Sequence, residues 1–201
     1  MTGAKLYFDA LMCFFWVTAY ALVLIGTIKY KYPMISPITQ IFFGTNEIAV
    51  LVFFLRESVA FNYAVAAYLC WALLEIAIFA AILRTDYYNK KYILPHLMVI
   101  AVGSAFLYYL IAVRGMMLFV CYGNAFLGVL FWFLFVQKKE YPLKPIPLLA
   151  FVCKFLADLA AIPVYFNYGN LLIRVICVGL PCLDLLFLVL WLIRRKQSVS
   201  H

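Results

Sequence analysis

Apolar residues run almost unbroken along this chain and are interrupted by six short polar breaks. The apolar runs cover approximately 7–28, 34–55, 61–84, 92–113, 116–136, 147–166 and 171–193. A helix of about 20 residues crosses a hydrocarbon core of about 30 Å. The pattern therefore predicts an all-α bundle of seven transmembrane helices in a single domain, 1–201. The breaks carry the expected punctuation of proline, glycine, asparagine and charge. They include Lys29–Pro33, Arg56–Ser58, Arg84–Lys91, Arg114–Gly115, Gln137–Pro142 and Asn167–Asn170. No internal repeat and no GxxxG pair stands out.

Composition changes the picture only by hardening it. Of the 201 residues, 69% are apolar and 12% charged, against roughly a quarter charged in soluble domains. A lipid bilayer is the solvent such a chain requires. The net charge of +8 does not argue for nucleic acid, because the charges sit in short connectors. The first run contains Ala19-Tyr20-Ala21, which resembles a cleavage signal, but it continues through Ile25. That is longer than a typical signal-peptide core, and it is read as a retained span.

Charge placement gives an orientation. Lys5, Arg56 and Arg114 fall on the side of the N-terminus and the even-numbered connectors. The other side holds Lys29, Lys31, Arg84, Lys90, Lys91, Lys138, Lys139, Lys144, Arg194, Arg195 and Lys196. Three against eleven puts the second side in the cytoplasm, so the expected topology is N-out/C-in. Tyr30, Tyr32, Tyr87, Tyr88, Tyr92, Tyr141 and Tyr168 cluster at the span ends, where an interfacial aromatic belt is expected. The six cysteines lie inside apolar runs without CxxC spacing, and His96 and His201 are the two histidines. They are read as small buried residues, with neither a disulfide framework nor a metal site.

Six charged residues stand at least three residues inside the spans: Glu47, Glu75, Lys154, Asp158, Arg174 and Asp184. Such groups are costly in a membrane and mark function. Lys154 and Asp158 are four apart and face the same way, as an internal ion pair or as substrate contacts. Arg174 sits about a turn inside the last span, able to snorkel outward or to meet a substrate anion. Glu47 and Glu75 have no base within reach on their own helices, and Asp184 has only the distant Arg174. A carboxyl desolvated without a partner keeps its proton. It then serves as a hydrogen-bonding group or as a general acid. Helical phasing adds company: Gln40 and Gly44 share a face with Glu47, Tyr68 and Trp71 with Glu75, and Arg174, Cys177 and Pro181 with Asp184. Tyr122 and Asn124 add polar groups in the fifth span.

The segments bearing these acids resemble the small seven-helix membrane-bound terpene cyclases of fungal meroterpenoid pathways and their bacterial relatives. The resemblance rests on Pro33 to Glu47 in the second span, Cys70-Trp-Ala-Leu-Leu-Glu75 in the third and Pro181-Cys-Leu-Asp-Leu-Leu-Phe187 in the seventh. Asn46 stands where the family usually has an aromatic residue, and Glu75 where aspartate is common. The resemblance implies an enzyme that protonates an epoxide or alkene of a linear prenylated substrate and guides carbocation ring closure. It implies Glu47 and Asp184 as catalytic acids converging on one pocket between the second and seventh helices, with Glu75 nearby. Gln40, Tyr68, Trp71, Glu75, Asn124 and Arg174 are then the expected substrate-binding residues. Phe43, Tyr108, Tyr109 and Trp132 are further aromatic faces able to stabilise a cation. No cofactor or metal is expected, because no DDxxD or DxDD motif occurs. A prenyltransferase or epoxidase that supplies the substrate is the expected pathway partner.

The rival reading is a small proton-coupled transporter, since intramembrane acids serve ion coupling as readily as catalysis. The missing repeat and the missing proline-glutamine motif count against it. A retinal protein is disfavoured because the seventh span has no lysine, Lys154 lying in the sixth.

Overall fold

The computed structural model describes residues 3–59, 62–166 and 170–199. The Asn167–Gly169 part of the last connector, Tyr168, His201 and the expected start of the third span at 61 lie outside them. The described residues form seven helices: α1 Gly3–Tyr30, α2 Pro37–Arg56, α3 Tyr63–Ile82, α4 Ile93–Ala112, α5 Met117–Val136, α6 Pro145–Tyr165 and α7 Leu171–Val199. All seven are long and apolar enough to cross a membrane. A 3-10 turn at Lys90–Tyr92 leads into α4.

Local chemistry sets the boundaries. Ser36 caps α2, its Oγ accepting from Thr39 N at 2.9 Å, and Pro37 follows at the first helical position. Proline suits that position because no intrahelical donor is lost there. This is why α2 starts three residues after the apolar run begins. Asn62 caps α3 by accepting from Ala64 N and Val65 N. Gly115 leaves α4 with φ +63°, a conformation that costs glycine nothing. The α1–α2 connector folds inward, so that Trp132 Nε1 and Tyr141 Oη both donate to Met34 O, at 2.8 and 3.1 Å. Arg194 of α7 donates to Val136 O and to Lys138 O.

The helix neighbours define the architecture. In contact order, α1 packs on α6, α6 on α7, α7 on α5, α5 on α2, α2 on α3, and α3 back on α1. Six helices thus close a ring, and α4 packs outside it against α2 and α5. The outward faces carry exposed leucine, isoleucine, valine and phenylalanine, among them Phe14, Leu55, Leu94, Val102 and Leu171. Such continuous apolar surface requires a nonaqueous neighbour.

The tyrosines at the span ends are not uniformly interfacial. Tyr92 and Tyr87 are exposed, but Tyr141 and Tyr88 are buried and hydrogen-bonded. Among the cysteines, Cys153 and Cys177 are buried, whereas Cys70 and Cys182 are exposed on the outer surface.

Close packing inside the ring depends on small residues. A Cβ placed on Gly128 of α5 would stand 2.5 Å from the Phe43 ring of α2. Gly128→Ala is expected to cost about 1–3 kcal/mol, the usual penalty of overpacking, as measured by thermal unfolding in detergent. An unchanged midpoint would mean that α2 and α5 are free to separate.

Candidate functional site

The ring encloses a cavity of about 200 Å³ to which all six of its helices contribute and α4 contributes nothing. Met12, Trp16 and Tyr20 come from α1 at a spacing of four, which puts them on one face. Phe43, Asn46 and Glu47 come from α2, and Tyr68 and Trp71 from α3. Cys121 and Tyr122 of α5, Asp158 and Tyr165 of α6 and Leu180 of α7 complete the wall. The lining is aromatic and aliphatic apart from a few polar groups, the pattern of a site for an apolar ligand.

Three polar clusters surround this space, two of them buried and the third partly exposed. In the first, Tyr20 donates to Glu47 Oε1 at 2.6 Å. Glu47 Oε2 and both carboxyl oxygens of Glu75 are buried with no hydrogen-bond partner. Glu75 lies beside Glu47 and the Tyr20 hydroxyl. Gln40 approaches from the other side, its Nε2 at 3.5 Å from Glu75 O. The Gln40 Oε1 is 2.5 Å from His96 Nε2. An amide oxygen can only accept, so His96 carries its hydrogen on Nε2.

The second cluster is ionic. Lys154 is fully buried and donates to Asp158 Oδ2 at 2.5 Å and to both Asp184 oxygens at 2.7 Å. Its ammonium lies 5.1 Å from the centroid of the Trp16 ring, within cation–π range. The i, i+4 pairing expected from the sequence is present, and Asp184 joins it from α7.

The third cluster was not anticipated. Asp9 of α1 accepts from Tyr63 Oη at 2.5 Å and from Tyr165 Oη at 2.8 Å, tying α1 to α3 and α6 beside the cavity. Its signal in the sequence is weak: an acid at the start of a span, on the same face as Met12, Trp16 and Tyr20.

Several expectations need correction. Asp184 does have a partner, Lys154, thirty residues away on a neighbouring helix. Glu47 and Asp184 do not converge on one pocket as expected: Glu47 lines the cavity, Asp184 does not, and α5 stands between α2 and α7 in the ring. Glu47 and Asp158 line the cavity, and Asp184 is joined to Asp158 through Lys154. Tyr68 and Trp71 line the cavity as expected, with Tyr68 Oη 3.4 Å from Cys121 Sγ and the Trp71 indole nitrogen unpartnered. Glu75 and Gln40 stand behind the wall, next to Glu47. Asn124 is partly buried with its Nδ2 unpartnered, outside the lining. Arg174 is exposed and lies over the Phe166 ring at 5.6 Å, as a snorkelling residue does. Trp132 packs on Phe151 with ring centroids 4.2 Å apart. Tyr108 faces Arg56 and Tyr109 is exposed. Of the expected aromatic faces, Phe43, Tyr68 and Trp71 are the ones at the cavity.

Among the described residues, no three His, Cys, Asp or Glu side chains converge to hold a metal ion. No family model, curated protein or solved structure matches this chain.

Proposed function

We propose that the protein is a membrane-integral terpene cyclase that works by acid initiation without a metal. The observation that carries this reading is Glu47. Its carboxyl borders an aromatic-lined cavity, one oxygen is fixed by Tyr20, and the other has no partner. A carboxylic acid held in that state can protonate an alkene or epoxide and has little else to bond. The cascade cation is then shielded from water and met by the faces of Trp16, Phe43, Tyr68 and Trp71. Asp158, across from the α2 wall, is the carboxyl placed to draw the final cation and take its proton. Asp184 positions Asp158 through Lys154. The substrate is a linear prenylated molecule that enters from the bilayer, and a prenyltransferase or epoxidase upstream supplies it.

The reading is tested by reconstituting the purified protein in liposomes with linear prenylated phenols and quinones, as alkenes and as terminal epoxides. A cyclised isomer formed in the presence of a chelator is the expected result. Solute or proton flux with no product overturns it in favour of the proton-coupled transporter.

The proposed orientation, N-terminus outside and C-terminus in the cytoplasm, rests on the three-to-eleven Lys/Arg asymmetry. A reporter fused after Lys196 is expected to read as cytoplasmic and one in the α6–α7 connector as external. The reverse pattern refutes the orientation.

A further inference from the structure

Two buried carboxyls and one phenol meet at the α1–α2–α3 corner of the ring, and the phenol is bonded to only one of the carboxyls. We propose that Glu47, Tyr20 and Glu75 form one proton-delivery unit, in which Tyr20 directs the Glu47 proton into the cavity and Glu75 replaces it. The inference rests on the cyclase reading for its substrate, but the unit itself is defined by geometry.

The direction of delivery follows from the hydrogen bond. Tyr20 donates at 2.6 Å to Glu47 Oε1, so Oε1 is the acceptor oxygen. The acid hydrogen of Glu47 therefore sits on Oε2, which has no protein partner. Glu47 borders the cavity, so an occupant of the cavity can accept that hydrogen. Glu75 gives the unit its second proton. Both of its oxygens are buried and unpartnered, a state tolerable for a neutral acid and not for an anion. The Tyr20 hydroxyl lies beside it without a hydrogen bond, so a small movement of Glu75 brings its hydrogen to the phenol oxygen while the phenol hydrogen points at Glu47. The His96–Gln40 bond holds the amide next to Glu75 from the far side.

The proton balance closes. The Glu47 Oε2–H bond breaks as a C–H bond forms at the substrate alkene, or an O–H bond at its epoxide. The Tyr20 hydrogen then moves to Glu47 Oε1 as the Glu75 hydrogen moves to Tyr20, and a half-turn of the Glu47 carboxyl brings the new hydrogen to the Oε2 side. Glu75 is left as a carboxylate opposite the substrate cation. Loss of the final proton from the cation to Asp158 completes the ring product, and Asp158 and Glu75 return to their starting states by proton exchange with water. Tyr20 and Glu75 are positioning residues in this scheme, and Glu47 is the catalytic one.

Infrared spectroscopy of the protein without substrate tests the unit. The carboxylic C=O band that disappears in Glu47→Gln belongs to Glu47. Tyr20→Phe is expected to shift that band to higher frequency, because its carbonyl loses a hydrogen bond. Glu75→Gln is expected to shift the band when Tyr20 is present and to leave it unmoved in a Tyr20→Phe background. A Glu47 band indifferent to Tyr20, or equally sensitive to Glu75 in both backgrounds, overturns the proposal whether or not the protein cyclises anything. In turnover, Glu75→Gln is expected to keep the first-turnover burst and to slow the steady state by about 10²-fold, the lower end of the effect of a lost proton-transfer group. Loss of burst and steady state in equal measure shows that Glu75 does not resupply the donor. If the infrared coupling is found and no product forms from any prenylated compound, the unit stands and the cyclase reading fails.

Discussion

Glu47→Gln is expected to lower turnover by about 10²–10⁴-fold, the usual range for loss of a positioned general acid, with little effect on folding or membrane insertion. The substitution keeps the length and shape of the side chain and removes only the acid hydrogen. Glutamine can still accept from Tyr20 through its amide oxygen, so the one observed hydrogen bond of Glu47, at 2.6 Å, has a replacement. Its amide NH₂ takes the place of Oε2, which has no hydrogen-bond partner now. The neighbouring Glu75 then faces a neutral amide, a mild change. A variant that folds, with an unaltered unfolding midpoint in detergent, and makes no cyclised product is therefore the expected outcome. A variant that turns over within a few fold of the parent would remove Glu47 as the donor.

The largest expected effect on stability comes from Lys154→Met. This removes the only cation from a buried cluster that holds Asp158 and Asp184, with Lys154 fully inaccessible and Asp158 and Asp184 almost so. Breaking a buried pair by deleting one partner costs about 3–5 kcal/mol, and here one deletion strands two carboxyls. Replacing all three together, Lys154→Met with Asp158→Leu and Asp184→Leu, is expected to recover most of that loss, because an apolar cluster of similar volume needs no compensation. The recovered protein should remain inactive, since Asp158 is gone from the cavity wall. Thermal unfolding of the single and triple variants in one detergent checks both statements. A single variant as stable as the parent would mean that the cluster is hydrated and the ion pairs contribute little.

The reach of the sequence ends at a definable physical point. Seven spans are legible because hydrocarbon thickness fixes their length and every break is polar. Glu47, Glu75 and Asp184 are legible as misfits, since charge in an apolar run needs a reason, and the Lys154–Asp158 pair follows from a spacing of four on one helix. The order of helices around the ring is not legible. Each span is apolar on all sides, because lipid and protein interior both accept leucine and valine, so no amphipathic stripe shows which face turns inward. Asp184 therefore looked unpartnered, when its partner sits on α6, and α2 and α7 looked adjacent, when α5 stands between them. Tyr20 is hidden for a related reason: one tyrosine among many aromatics has no mark in the sequence, and only the packing of α1 on α3 brings it to the Glu47 carboxyl of α2.

The most direct measurement of the central claim is deuterium placement. The purified protein, treated with a chelator and transferred to deuterium oxide, is given linear prenylated compounds that end in an alkene, and the products are analysed by mass spectrometry and deuterium NMR. Initiation by Glu47 predicts a cyclic isomer with one deuterium on the carbon that was protonated, and no such product from Glu47→Gln. A cyclic product without deuterium, or one formed equally by Glu47→Gln, would contradict it.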